Sequence, residues 1–238
     1  MELHKKFMLA VTLSLTLGLS ACSDDDDGVM SPQPIDASYE VTVTNITNGQ
    51  PLTPLAVVMH ESGFVAWQLG ASATEGLEML AESGSPADFL SASAANTNVI
   101  DTASSSNGPF GPGAQESVSM TVTHSMDLQL SVASMLANTN DAFTGVNAWG
   151  IGDLAVGESA SVLAKVYDAG TENNTESSAT MPGPAAGGEG FNSARDDIDV
   201  VLIHPGVVTI DDGLMDSALN ESHRWLNSAA KIVVQRVN

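Results

Sequence analysis

The chain has 238 residues, of which 43% are hydrophobic and 15% charged, a globular balance and not a disordered one. Its formal net charge of −22 would repel a phosphate backbone, which excludes nucleic acid as a partner and suits divalent cations or a high-salt habitat. A single cysteine, Cys22, rules out an intramolecular disulfide, so the fold must be held by its core, with or without a metal.

The first stretch reads as a leader. Lys5 and Lys6 precede an uncharged apolar run over residues 7–19, followed by Leu19-Ser20-Ala21-Cys22. A charged start, a short apolar core and small residues before a cut make a secretory signal. The run is shorter than the ~20 residues of a comfortable membrane span. Leu19-Ser20-Ala21-Cys22 resembles the bacterial lipobox in full. That resemblance implies cleavage before Cys22, acylation there and a stable lipid anchor. Ser23 after the cysteine favours the outer membrane if the host sorts as enteric bacteria do. Residues 1–21 are therefore expected to be the signal peptide. Residues 22–37, opening with Cys22, Ser23 and four aspartates, are expected to be an acidic tether, since a like-charge block stays extended. Losing the leader removes Lys5, Lys6 and Glu2 and leaves the mature chain more acidic still.

Residues 38–238 are long enough for one full core. Residues 39–44 alternate apolar and polar with β-branched side chains, a half-buried strand. Asn48-Gly49-Gln50-Pro51 is a turn, and residues 55–59 are a more buried strand. Thr74 caps a predicted helix over residues 75–82 that Gly84 ends, and a second helical piece starts at Pro86. Residues 102–113, rich in Ser, Gly and Pro, are expected to be a loop. Strands follow through Val118, Met120 and Val122, through Leu128, Leu130 and Val132, and through Val162, Ala164 and Val166. Residues 171–190 form a long polar, Gly/Pro-rich segment of the kind that carries function or mobility. A strand over 198–203 and a last one over 231–237 close the chain. Short strands joined by turns, with one or two short helices, predict a mainly β, antiparallel β-sandwich.

Few residues carry chemistry. There is no Gly-x-Ser-x-Gly and no phosphate-cradling glycine loop, and none of His60, His124, His204 and His223 is paired at zinc-ligand spacing. Trp67, Trp149 and Trp225 read as core or rim packing. Oxygen donors are better placed. Asn138-Thr139-Asn140-Asp141 and Asp168-Ala169-Gly170-Thr171-Glu172 each directly follow an apolar strand. Two strand ends that deliver carboxylates and amide carbonyls are what a hard cation such as calcium requires, at ~6–8 oxygens. The spacing is not that of an EF-hand.

Four segments, in order, resemble the bacterial branch of the spondin N-terminal domain family. Glu40-Val41-Thr42-Val43-Thr44-Asn45 with Gln50-Pro51-Leu52-Thr53-Pro54 looks like its opening. His60, Trp67, Gly76-Leu77 and Leu80-Ala81-Glu82-Ser83-Gly84 follow its His, Trp, Gly-Leu, Ala-Glu-x-Gly pattern. Asn140-Asp141-Ala142-Phe143-Thr144-Gly145-Val146 is similar to its Pro-Asp-Trp-Phe-x-Gly-Val loop, with Asn140 for proline and Ala142 for tryptophan. Tyr167-Asp168-Ala169-Gly170-Thr171-Glu172 is similar to its Tyr-Asp-Ala-Gly-Thr-Asp stretch, with Glu172 one methylene longer. The resemblance implies a C2-like antiparallel β-sandwich with calcium held by loop carboxylates. By position it implies Asp141 and Asp168 as ligands, with Glu172 and, through a looser match, Asp101. The thrombospondin repeats and cysteines of the animal proteins are missing, so their matrix and integrin roles do not carry over.

The expected function is a lipid-anchored, non-enzymatic binding or adhesion module of the cell envelope, with a structural calcium site and a protein or glycan ligand. Two alternatives are a metal-assisted envelope hydrolase, with His60 or His204 as base beside an open metal position, and a purely structural envelope protein.

Overall fold

A computed structural model describes residues 35–226 and 228–238. The leader, Cys22 and nearly all of the acidic tether lie outside the described residues. Residues 34–238 make one compact unit. The first strand, β1 (Asp36–Asn45), begins two residues inside the expected tether, and its residues alternate between buried and open along its length. Tyr39, Val41 and Val43 point into the core, as their period of two requires.

The other elements are β2 (Ala56–His60), α1 (Glu75–Ser83), α2 (Ala87–Ala94), β3 (Val99–Ser104) and β4 (Gln115–Thr123), followed by β5 (Gln129–Met135), β6 (Ala142–Gly150), β7 (Ser159–Asp168), β8 (Leu202–Ile203) and β9 (Ser228–Arg236). The fold is mainly β, with two short helices. The strands form one antiparallel path, β3-β2-β5-β6-β7-β9-β1-β4, with the short β8 added to β7. The two end strands β3 and β4 come back into contact, so the sheet nearly closes on itself, as a β-sandwich does.

Inside lies the main core, built from Tyr39, Val41, Leu55, Leu130, Val166 and Ile232 among others. A second cluster sits on the outer face of β2, β5 and β6. There Val58, Ala133 and Phe143 meet Leu77 and Leu80 of α1 and Phe89 of α2. The helix α1 starts and stops as its sequence predicts. Thr74 Oγ1 accepts the Leu77 N–H, and Gly84 in the left-handed region (φ 73°) donates its N–H to Leu80 O.

Three differences from the sequence reading have physical causes. β6 is a full strand, although its sequence lacks alternation, because α1 and the core bury its first half on both faces. Gly145 in its middle is there for space: a Cβ would sit 1.9 Å from Val132 O, where the β5–β6 register slips. β3 takes residues 99–104, overlapping the expected loop, as an end strand paired to β2 alone. The expected strand over 198–203 shrinks to Leu202–Ile203. Upstream of it, Asp199 (φ 52°) gives its N–H to Gly170 O, and Val201 gives its N–H to Ala71 O.

Candidate functional site

Asp141 precedes β6 and Asp168 ends β7. The two strands run antiparallel with Ala142 opposite Asp168, so both aspartates arrive at the same end of the sheet. Ala169 N donates to Asp141 O (3.3 Å), which extends the pairing one step. Immediately after, Gly170 turns the chain in the left-handed region (φ 71°), where a Cβ would meet Val200 O at 2.4 Å. This turn aims the next amides back at Asp141. Its Oδ2 accepts Thr171 N (2.8 Å), Thr171 Oγ1 (3.2 Å) and Glu172 N (3.1 Å).

The site is buried. Asn138, Thr139, Asn140 and Asp141 follow an apolar strand directly, and all four are at most 2% exposed. The long segment after Glu172 covers them. Asn138 Oδ1 accepts Ala185 N, Asn140 Oδ1 accepts Glu176 N, and Asn140 Nδ2 donates to Thr180 Oγ1. The same segment is tied to α1. Arg195 pairs with Glu78 and also donates to Ala73 O, and Asn192 N donates to Glu82 Oε2 (2.9 Å). Glu78 and Glu82 stand four apart on α1, a like-charge spacing that an isolated helix disfavours. Their partners from the long segment offset it.

Three buried carboxylate oxygens have no hydrogen-bond partner among the described residues: Asp141 Oδ1, Glu172 Oε2 and Glu82 Oε1. The carboxyls respond as crowded acids do. Burial, and then the charge of Asp168, push Asp141 up to about 7, against the donors from Thr171 and Glu172. Burial and the charge of Glu82 push Glu172 up to about 8. Burial, with a further contribution from Asp168, pushes Glu176 up to about 7, although Val208 N donates to it.

On the other side, Asp168 Oδ1 accepts Gly170 N and Oδ2 accepts Asn174 Nδ2, both at 2.7 Å. Asn174 Oδ1 in turn accepts His204 Nε2 (3.1 Å), and His204 Nδ1 accepts Gly206 N (2.9 Å). Burial pushes His204 down to about 4 against the pull of Asp168, so it is neutral at pH 7 with both nitrogens engaged. His60 is likewise occupied, by Glu61 O and Ser131 Oγ. Neither imidazole offers a free base.

The structure thus brings together Asp141, Asp168 and Glu172. Asp101 is apart from them. It lies exposed on β3, opposite Met59, and its Oδ1 accepts only the neighbouring Thr102 N. Sequence reading passed over Glu78, Glu176 and Arg195 as site residues. Glu82 stood in a matched motif but carried no role.

The spondin N-terminal domain model (Spondin_N) matches residues 45–186, more than half of the chain. The chain belongs to the spondin N-terminal domain family. Among the curated proteins, none matches it. In this spondin domain the match takes in β2 to β7 and both carboxylate-bearing strand ends, and it stops inside the long segment.

The calcium that the family implies can be tested against these side chains. The donors are all oxygens, and Asp141 and Glu172 each hold a buried, unpartnered one. Backbone amides grip Asp141 from behind and leave Oδ1 free. That chemistry fits a hard cation. Among the described residues, however, no group of three or more His, Cys, Asp or Glu side chains is placed to hold a metal ion.

The carboxyls also set a pH dependence. Asp141, Glu172 and Glu176 hold protons more tightly folded than unfolded, where carboxyls titrate near ~4. Their contribution is present at low pH and is lost as pH rises through about 7 to 8. His204 acts in the opposite direction but only below its unfolded value of ~6.5. Chelator-treated protein should therefore melt at progressively lower temperature from pH 6.5 to 9, followed by circular dichroism. A flat profile over that window would show that these carboxyls are not shifted.

Proposed function

We propose that this spondin domain is a lipid-anchored, extracytoplasmic binding module whose loop end is held together by calcium. The observation that carries the reading is the pair of unpartnered, buried oxygens on Asp141 and Glu172 beside Asp168. Buried charges are normally paired or bound to metal. A divalent ion would turn mutually repelling carboxylates into ligands and fix the β6 and β7 ends relative to the long segment. Asp141, Asp168 and Glu172 are its protein ligands in this reading. The rigid end then presents a surface to a protein or glycan partner.

The anchor rests on Leu19-Ser20-Ala21-Cys22, and the acidic stretch after it spaces the domain from the membrane. Among the described residues no helix is long and apolar enough to cross a membrane. In this reading a lipid at Cys22 is the attachment. Placement in the cell envelope rests on the leader, and Ser23 favours the outer membrane where the host sorts as enteric bacteria do. The hydrolase reading finds less support, because His60 and His204 have both ring nitrogens occupied. The module is read as non-enzymatic.

Calcium at ~100 times its dissociation constant adds about 2.7 kcal/mol to the folded state. For a domain of this size that raises the melting temperature by roughly 5–10 °C, at ~2–4 °C per kcal/mol. Magnesium should give a much smaller shift. Equal melts with calcium and with chelator would refute the calcium site. For the anchor, Cys22→Ser should release the protein from the membrane fraction into the soluble envelope fraction. Retention in the membrane would refute lipidation at Cys22.

A further inference from the structure

On the side of β7 away from β6, β8 pairs only at Tyr167 and Asp168, and β9 pairs from Lys165 back to Ser159. Between these two partners the side chains leave a pocket of about 400 Å³. Its floor is buried and consists of Val166, His204 and Trp225, the last two with ring centres 5.1 Å apart. Its rim is apolar and open: Leu163 is 59%, Ile203 49% and Leu226 90% exposed. The volume lies within the ~300–1,000 Å³ of small-molecule sites. Single exposed leucines need no explanation, but three large apolar side chains around one pocket mark a place for an apolar partner.

The charge of the pocket is opposite to that of the molecule. The chain has 29 acidic residues and none lines it, whereas Lys165 does. Lys165 and Lys231 are the only lysines beyond Lys6. Lys231 lies opposite Leu163 in the β7–β9 register, and Leu163 is two positions from Lys165, so both exposed lysines stand on one face. Neither makes an ion pair with the described residues. Two cations left unpaired in so acidic a chain are available to an external anion.

The polar groups narrow the ligand further. His204 has both ring nitrogens engaged, by Asn174 and Gly206. At most the Lys165 ammonium, the Ser228 hydroxyl and the Trp225 indole N–H remain as side-chain donors at the pocket. A sugar would bury several hydroxyls here with too few partners. A polyanion would be repelled by the net charge of −22 on the chain. An added peptide strand needs open backbone, and at residues 165–168 β7 already has β6 on one side and β8 or β9 on the other. An apolar body with a single anionic head meets all three constraints.

We infer that this pocket binds an aliphatic monocarboxylate, with its chain against Leu163, Ile203 and Leu226 over Trp225 and its carboxylate held by Lys165, with Lys231 alongside. The site lies on the flank of the sheet and calls on neither the calcium ligands nor the lipid anchor.

The test is calorimetric titration of the Cys22→Ser chain, which carries no lipid, in chelator at pH 7. Octanoate is the probe and octan-1-ol its uncharged counterpart. Lys165→Met keeps an apolar stem and removes the charge. It should raise the octanoate dissociation constant about tenfold, as loss of a charge-assisted contact does, and leave that of octanol within about twofold. Leu163→Thr shortens the apolar rim and should weaken both probes about fivefold, since both chains lose buried area. Both residues are exposed, so each variant should melt within about 2 °C of the parent, as surface substitutions do. No saturable octanoate binding by the parent up to about 5 mM, the range of a weak ligand, would overturn the site. So would an octanoate affinity in Lys165→Met equal to that of the parent. Loss of octanol along with octanoate in Lys165→Met would also overturn it, because the lysine would then shape the pocket and not hold a carboxylate.

Discussion

The constraint on which this structure turns is the burial of like charges. Asp141, Asp168, Glu172, Glu176 and Glu82 are all at least nine-tenths buried, at or beside one end of the sheet. Taking a lone carboxylate out of water costs several kcal/mol even after relaxation. The one guanidinium in this region, Arg195, is spent on Glu78 and Asp199. The remaining acids are held by backbone amides, by proton uptake, or by an ion. Amides reach Asp141 Oδ2, Asp168 Oδ1 and one oxygen each of Glu82 and Glu176. They do not reach Asp141 Oδ1, Glu172 Oε2 or Glu82 Oε1. Those three atoms are where a cation or a proton must act.

The architecture exists to create that crowding and to survive it. Antiparallel β6 and β7 in register bring Asp141 and Asp168 to one sheet end, and Gly170 folds the chain so that its amides point at Asp141. Aromatic packing fixes the same strands from outside. Phe143 of β6 stacks on Tyr167 of β7 (5.3 Å between ring centres), and Trp67 meets both edge-on. The strand ends therefore have little freedom to spread apart under their own repulsion. The long segment supplies the cover, and α1 supplies the acids to which that cover is tied.

Much of this was legible in the sequence. β1, β4 and β7 alternate because one face is buried, and α1 carries its own cap and stop. Asp141, Asp168 and Glu172 were legible because each follows a strand and stands in a family motif. What was hidden was tertiary. β6 is covered on both faces and so shows no period of two. Asp101 sits one strand position away from an expected loop, but on the far end strand of the sheet path, so a loose match in sequence did not become proximity. Glu78, Glu82 and Arg195 come together over more than a hundred residues of chain, a distance no local pattern spans. The long segment looked like an open loop by composition. It is a lid of backbone held by Asn138, Asn140, Glu78 and Glu82.

A calcium ion at the orphaned oxygens of Asp141 and Glu172 would be seen in crystals of the protein grown with calcium and measured at a wavelength where calcium scatters anomalously. An anomalous peak is expected at about 2.3–2.6 Å from an oxygen of Asp141 or Glu172, with further ligands from carboxylates, amide oxygens and water. Clear density at both oxygens with no anomalous peak beside either would contradict the calcium reading, and would leave protonated carboxyls as what makes this acidic end of the fold stable.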